Sequence, residues 1–305
     1  MKALILAAAL AATAFAVPVA PASAASPTAA IPPSDVNELS HVRTALYGRS
    51  GPLVVLIPGM STPGAMWDGT VAALERDHRL LVVEVKGFDG KDAPANRGDG
   101  LIAGIVGDIG RDLAQRRLGK AILVGHSFGG LVAMKLALDH PDAVRSLVVV
   151  DALPFFGTVM DPKATVESVR PRAAAMREMM VKQAAVIRAM AAKPIAKDPG
   201  GTMSIDPKTR TLIAGWSMRA DPEVVAQAMW EDVLLDLRQA IAGLKPPLTV
   251  LYQAHENAPL AAQRYGTDYA AKADARLVAV DKTGHFIPLD RPDVVLDAIR
   301  AASGR

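Results

Sequence analysis

The chain contains no cysteine among its 305 residues. Disulfide bonds, thiol nucleophiles, zinc–thiolate centres and a lipid-modified N-terminal cysteine are therefore all excluded. A strong charge of either sign is also missing, since 34 basic and 31 acidic residues give a formal net charge of +3. The basic residues are scattered, so the sequence predicts no nucleic-acid partner. Half of the residues are apolar, which is enough for the core of one large α/β domain.

The N-terminal region has no hydrophobic run long enough to cross a bilayer. The apolar run Ala3–Val17 follows Lys2 and precedes the small residues Ala22–Ala24. This pattern is typical of a secretory signal peptide, with an uncleaved membrane anchor as the alternative. We expect residues 1–25 to be a signal peptide and residues 26–35 to be a flexible leader. The mature protein is then expected to be periplasmic or secreted, with no stable membrane insertion after signal cleavage.

Short β-branched runs alternate with helical patterns after the leader. One edge strand is expected over Asn37–Tyr47, and the Gly-rich and Asp-rich stretch Gly87–Gly100 is expected to be a loop. Strand, helix and strand joined by short connections indicate a parallel sheet covered on both faces. Six further strands are predicted, over residues 53–57, 80–85, 121–124, 146–150, 248–252 and 276–280.

The alternation stops at Asp151. The segment from Phe155 to Ile241 has a mainly helical composition, so we expect a helical cap at about residues 155–241 within a domain spanning residues 36–305. Eight of the twelve methionines lie in this segment. Flexible thioethers either line an adaptable apolar pocket or fill the core of a small helical layer, and the sequence leaves both interpretations open.

The stretch Gly125-His126-Ser127-Phe128-Gly129 lies between a predicted strand and a predicted helix. It matches the pattern G-x-S-x-G, in which a serine is held on a very tight turn. Side chains at the flanking positions would collide with neighbouring elements, and glycine removes them. The turn lifts the hydroxyl to a helix N-terminus, where free N–H groups and the helix dipole favour the negative charge of acyl transfer. The motif therefore predicts a nucleophilic serine.

With this motif the sequence resembles the α/β-hydrolase superfamily over nearly all of its mature length. The resemblance implies an α/β fold with a mostly parallel sheet flanked by helices and a helical cap inserted after the strand ending at Asp151. It also implies the chain order serine, acid, histidine, and no metal or other cofactor. His285 follows the last predicted strand, where the superfamily places the base that takes the Ser127 proton. His126 is expected to be structural.

The acid of the triad is left open between two residues. The superfamily most often places it after the strand that follows the cap, where Glu256 is the only carboxylate of the loop 253–257. A minority places it at the end of the strand after the nucleophile helix, which is Asp151 here. A carboxylate ending so apolar a strand is costly unless it has a partner, and a histidine N–H would serve. We favour Asp151, with Glu256 as the alternative.

The resemblance also implies two N–H donors for an oxyanion hole. One is Phe128, directly after the serine, and the other is Met60, in the loop after strand 53–57. Pro58 stands where the superfamily usually has a histidine that props this loop. The replacement puts the geometry of the loop in question more than the chemistry. Trp67, further along the loop, is expected to pack the loop more than to bind substrate.

These features together predict an exported serine hydrolase, resembling a carboxylesterase, that cleaves a small ester with an apolar group through an acyl-enzyme on Ser127. A lactonase, amidase or peptidase with the same triad is the alternative. A peptidase would need acidic residues for the substrate amine, and Glu223, Glu231 and Asp232 are the candidates in the cap. Asp232 and Asp236 are otherwise expected on a solvated helix face. A non-catalytic binding protein on the same scaffold is the third possibility.

Overall fold

The computed structural model describes residues 32–191, 195, 197–254 and 257–304. The predicted signal peptide (1–25), the leader up to residue 31 and the alternative acid Glu256 lie outside the described residues. No helix in the described part of the chain is long and apolar enough to span a bilayer.

A single eight-stranded sheet forms the centre of the protein, in the order β1-β2-β4-β3-β5-β6-β7-β8. Strand β2 is antiparallel to both β1 and β4, and every other neighbouring pair is parallel. The strands are β1 Asp35–Glu38, β2 Val42–Tyr47, β3 Leu53–Ile57, β4 Arg79–Val85, β5 Ala121–His126, β6 Val144–Val150, β7 Leu248–Gln253 and β8 Arg276–Val280.

The single edge strand predicted over Asn37–Tyr47 is wrong. The chain turns at residues 39–41, where the amide of Leu39 donates to the carbonyl of Val42 over 2.9 Å, and β1 and β2 pair as an antiparallel hairpin. The turn contains neither glycine nor proline, so the sequence lacks the two strongest turn signals there.

Helices flank the sheet and fill the connection after β6. The α-helices are α1 Asp68–Leu74, α2 Leu101–Gln115, α3 Phe128–Asp139, α4 Gly157–Met160, α5 Val166–Lys182, α6 Ala184–Ala191, α7 Pro207–Arg219, α8 Pro222–Leu234, α9 Ala258–Asp268, α10 Ile287–Asp290 and α11 Pro292–Ser303. Short 3₁₀ turns cover Gly64–Trp67, Pro94–Asn96, Pro141–Ala143 and Ala240–Gly243.

The strand side chains alternate between two hydrophobic layers. In β3, Val55 and Ile57 belong to the cluster that includes buried residues of α2 and α3, whereas Val54 and Leu56 belong to the cluster that includes buried residues of α1 and α11. All five residues of β3 are buried. A central parallel strand is covered on both faces, which is why its sequence is a continuous apolar run and not an alternating one.

The segment between β6 and β7 is helical in the residues described, from α4 to α8. Helix α5 packs on α8, and a small core of Phe155, Val169 and Val233 lies between the cap elements. The chain enters this segment directly after Asp151, at the carboxyl end of β6. The predicted fold class, a mostly parallel sheet flanked by helices with a helical cap after this strand, is confirmed.

The side chain of Glu231 joins the cap to the N-terminus of helix α2. Its Oε1 accepts hydrogen bonds from the backbone amides of Gly100 and Leu101, at 2.7 and 2.8 Å. Its Oε2 accepts from the amide of Ile102 at 2.8 Å. These amides open α2 and have no acceptor within the helix, so one carboxylate of α8 caps the N-terminus of α2.

We predict that Glu231→Ala lowers the free energy of unfolding by about 2 kcal/mol, because three amides lose a charged acceptor. Glu178→Ala is the matched control, since Glu178 pairs with Lys182 on an exposed face of α5 and its loss should leave the free energy of unfolding almost unchanged. Urea denaturation of both variants measures the difference. Equal losses in the two variants would contradict the capping role.

Candidate active site

Ser127 occupies the turn between the end of β5 and the start of α3. Its backbone angles are φ 54° and ψ −125°, a region that residues with a side chain rarely adopt. The Ser127 amide donates to the Val150 carbonyl over 2.9 Å, and the Ser127 carbonyl accepts from the Gly130 amide over 2.7 Å. The strained turn is therefore held on one side by the neighbouring strand and on the other by the helix that it begins.

The glycines around Ser127 are required by backbone contacts. A Cβ on Gly125 would lie 2.1 Å from the carbonyl oxygen of Gly129. A Cβ on Gly129 would lie 2.4 Å from the carbonyl oxygen of Ile57. Backbone oxygens cannot move aside as a flexible side chain can, so both positions exclude any residue larger than glycine.

His285 and Asp151 are hydrogen-bonded across the carboxyl edge of the sheet. The Nδ1 atom of His285, in the loop between β8 and α10, lies 2.6 Å from Oδ2 of Asp151, directly after β6. With Nδ1–H donating to the carboxylate, Nε2 is the imidazole nitrogen left to accept a proton. Ser127 and His285 line the same cavities.

The Asp151 carboxyl group is held in its ionised form. Its second oxygen, Oδ1, accepts from the Gln253 amide and from the Tyr265 hydroxyl, each at 2.9 Å. Burial alone would raise the pKa of Asp151, but the hydrogen bond and charge of His285 outweigh it together with these two donors, so the pKa is lowered. The alternative acid, Glu256, lies outside the described residues.

His126 is buried beside the candidate base. Its Nε2 donates to the backbone carbonyl of His285 over 3.0 Å, and its ring lies 4.7 Å from the His285 ring and 4.6 Å from the Phe286 ring, between centroids. Burial, with a smaller contribution from the charge of His285, lowers the pKa of His126 to about 3. The ring is therefore neutral at physiological pH and fixes the loop that carries His285.

The two predicted oxyanion donors, Phe128 and Met60, lie on two different segments near the turn at Ser127. Phe128 is the first residue of α3, so its N–H has no acceptor within the helix. Met60 follows β3 and lines the cavity of about 430 Å³ described below. The loop that carries it packs closely on the turn, because a Cβ on Gly59 would lie 2.8 Å from His126 Nδ1 and 3.4 Å from Ser127 Cβ. The loop approaches the serine with Pro58 in place of histidine.

Trp67 lies in the core and not in the site. Its side chain is completely buried among residues of β3, β4 and α1, and it lines neither of the cavities at Ser127.

Two cavities meet at Ser127. Their volumes are about 430 and 330 Å³. The larger is walled by Ile213, Val225 and Met229, and the smaller by Leu131 and Leu153. The residues that line both are Ser127, Phe156, Met203, Asp232 and His285.

The cap methionines serve both purposes that the sequence left open. Met203 and Met229 line the larger cavity. Met160 packs against the small core of the cap, whereas Met179 and Met190 are exposed. No three His, Asp or Glu side chains are grouped to hold a metal ion in the part of the chain that the structure describes.

Asp232 does not lie on the solvated helix face that its sequence predicts. It was expected on a solvated face, but only 7 % of its surface is exposed and it lines both cavities. Burial raises its pKa to about 7, and the charge of His285 opposes this in part. Val225, Met229 and Asp232 are spaced by four and three residues along α8, which puts them on one helix face. That spacing was the available signal.

The other two acidic candidates of the cap have structural partners. Glu223 pairs with Arg97 and Arg188. Glu231 caps α2, as described above. Neither lines the two cavities at Ser127.

The alpha/beta hydrolase family profile matches residues 54–298. A pimeloyl-(acyl-carrier protein) methyl ester esterase of Vibrio atlanticus is 31 % identical over 205 residues, covering 66 % of this chain and 75 % of the relative. Two solved structures are similar at a TM-score of 0.65. A hydrolase from Pseudomonas aeruginosa PA01 is 22 % identical over 89 % of this chain and 99 % of that chain. An esterase from Thermogutta terrifontis is 20 % identical over 88 % of this chain and 97 % of that chain.

The two solved structures show a shared fold and nothing more, since their sequence identity is low. The family profile, in contrast, runs from β3 to α11 and includes the turn at Ser127, the residue Asp151 and the loop of His285. The chain therefore belongs to the alpha/beta hydrolase family of enzymes.

Proposed function

We propose that this hydrolase cleaves a small carboxylic ester through an acyl-enzyme formed on Ser127. The observation that carries the proposal is the arrangement at the strained turn. The serine directly precedes α3 and has a positive φ, and the hydrogen-bonded pair of His285 and Asp151 shares its cavity. The curated relative from Vibrio is itself an ester hydrolase, which supports the choice of bond.

In the proposed reaction, His285 Nε2 takes the proton of Ser127 Oγ while Oγ bonds to the ester carbonyl carbon. The carbonyl oxygen becomes an oxyanion, to which the N–H groups of Met60 and Phe128 donate. Collapse of this tetrahedral oxyanion breaks the bond to the alcohol, which leaves with the proton from His285. Water, deprotonated by the same imidazole, then attacks the acyl-enzyme and releases the acid and free Ser127.

Asp151 is assigned the orienting and stabilising role. Its lowered pKa keeps it negative while the imidazole becomes an imidazolium, so the pair gains attraction when the barrier is crossed. Three donors hold the carboxylate in place, which fixes the tautomer and the plane of the His285 ring.

The two cavities support a substrate with groups on both sides of the ester. Apolar side chains wall each one, so an acyl chain in one and an alcohol in the other would both be removed from water. No cofactor takes part in this reaction. Export to the periplasm or beyond remains part of the proposal.

We predict one adduct on the wild type after treatment with a fluorophosphonate, and none on Ser127→Ala, because only a serine activated by a base reacts. Ser217→Ala is the matched control, since Ser217 lines the same cavity on α7 and should leave the adduct unchanged. Intact-mass spectrometry reads the result. An adduct retained by Ser127→Ala would place the nucleophile elsewhere.

Asp151→Asn should lower kcat by roughly 10³–10⁴-fold, since an amide in place of the carboxylate leaves the imidazole in the wrong tautomer. Glu256→Gln should leave kcat near the wild-type value. Steady-state kinetics on one ester measures both variants, with circular dichroism as the folding control. The reverse pattern would make Glu256 the acid.

The export proposal predicts that the full chain, expressed in a Gram-negative host, is recovered from the periplasm without its first 24 or 25 residues. Intact mass of the purified protein identifies the cleavage point. A chain of full mass in the membrane fraction would support the uncleaved anchor instead. A chain of full mass in the cytosol would contradict both.

A further inference from the structure

Asp232 is a buried acid that has no partner among the described residues. Its side chain forms no hydrogen bond or ion pair within the described ranges, although only 7 % of the residue is exposed. A buried carboxylate normally has a cation or several donors beside it. Here the carboxyl group borders two cavities that meet at Ser127 and His285. A substrate bound in these cavities can therefore supply the partner that Asp232 lacks.

None of the cations that the structure describes around the cavities neutralises Asp232. Arg210 lines the larger cavity but is engaged by the carboxylate of Asp198, at 2.8 and 2.5 Å. Arg264 lines the smaller cavity and is not within ion-pair distance of Asp232. His285 is hydrogen-bonded to Asp151. Among the described residues, only the charge of His285 acts on Asp232, and at a distance.

Several of the side chains that line the cavities with Asp232 are apolar. Val225 and Met229 share its face of α8, and Phe156 and Met203 line the cavities with it. Apolar groups cannot donate to a carboxylate, so the hydrogen bonds that Asp232 needs must come from what fills the cavities. A ligand that brings its own donors gains more here than at an exposed acid.

We propose that Asp232 binds a protonated amine of the substrate, so that the preferred esters carry an ammonium group near the scissile bond. The inference rests on the proposed ester hydrolysis at Ser127 and names its substrate class. Because Asp232 lines both cavities where they meet, the amine lies close to the ester and the apolar walls contact the remaining chains.

An ammonium group fits better than the alternatives. It supplies a full positive charge and three N–H donors, so it compensates the carboxylate and satisfies its oxygens at once. A hydroxyl donates one hydrogen bond and leaves the charge uncompensated. An anionic group would be repelled, and an alkyl group would leave a buried acid without a partner.

The preference should depend on pH in a defined direction. Asp232 attracts the amine when it is ionised, and its pKa is about 7, so the preference should be weak at pH 6 and strong at pH 8. Effects common to both esters of a pair, such as the protonation state of the catalytic base, cancel in the ratio, whereas the other titratable or charged groups act on the ammonium in the wild type and in Asp232→Asn alike. Those that line the two cavities are His126, Asp151, Arg210, Arg264, Tyr265 and His285.

The test compares benzyl esters in which –NH₃⁺ is replaced by –CH₃ at the same position. The pairs are glycine and propanoate, β-alanine and butanoate, and 4-aminobutanoate and pentanoate. In at least one pair, kcat/KM of the ammonium ester should exceed that of its isostere by about 30-fold at pH 8. The ratio should fall at pH 6 for the β-alanine and 4-aminobutanoate pairs, whose amines stay protonated throughout.

Asp232→Asn should lower the kcat/KM ratio of each ammonium ester to its alkyl isostere to about 1, since the amide keeps the shape but not the charge. Asp236→Asn is the matched control. Asp236 follows α8, pairs with Arg238 and lines neither cavity, so that variant should keep the full preference. If alkyl esters are cleaved and no pair shows the preference, the amine proposal is wrong and ester hydrolysis stands.

A binding measurement separates failure of the amine proposal from failure of the proposed function. Calorimetry with Ser127→Ala needs no turnover and uses the same ester pairs as probes. Tighter binding of an ammonium ester, lost in Ser127→Ala/Asp232→Asn, would support the amine site even if no ester is hydrolysed. Equal binding of both members of every pair would overturn it.

Discussion

The close packing of backbone around Ser127 is the constraint on which the rest of the site depends. Carbonyl oxygens lie so near to Gly125 and Gly129 that neither position has room for a Cβ. Strand β5, the loop after β3 and the start of α3 are therefore in direct contact. Their contacts hold Ser127 in a backbone conformation that is unfavourable by itself, and the sheet pairing of its amide offsets the cost.

The parallel sheet brings Asp151 and His285 to that turn, and the cap adds a second carboxyl group, Asp232. Strands β6, β7 and β8 are neighbours, so the residues after them share one edge, and Asp151 and His285 meet there. The carboxylate from the sheet has three donors. Asp232, the carboxyl group that the cap supplies, has none among the residues described. The carboxylate of Asp151 has its hydrogen-bond donors without a ligand, whereas Asp232 obtains its donors from the proposed ligand.

Most of the sheet and the turn at Ser127 could be predicted, because continuous apolar runs and a glycine-flanked serine have few other physical explanations. The acid could not, since the sequence offers Asp151 after β6 and Glu256 after β7, and only coordinates place Asp151 against His285. The environment of Asp232 was missed because α8 also buries Val224 and Val233, so its apolar pattern does not point to one face. The hairpin at residues 39–41 has no glycine or proline to reveal it.

The hydrogen bond between Asp151 and His285 joins residues 134 positions apart, with the whole cap between them. During synthesis the serine, the acid and the cap leave the ribosome well before the histidine does. A partly made or unfolded chain thus carries an ordinary, inert hydroxyl. The proposed reactivity of Ser127 arises only when the last strand joins the sheet, so an incomplete chain has no activated serine.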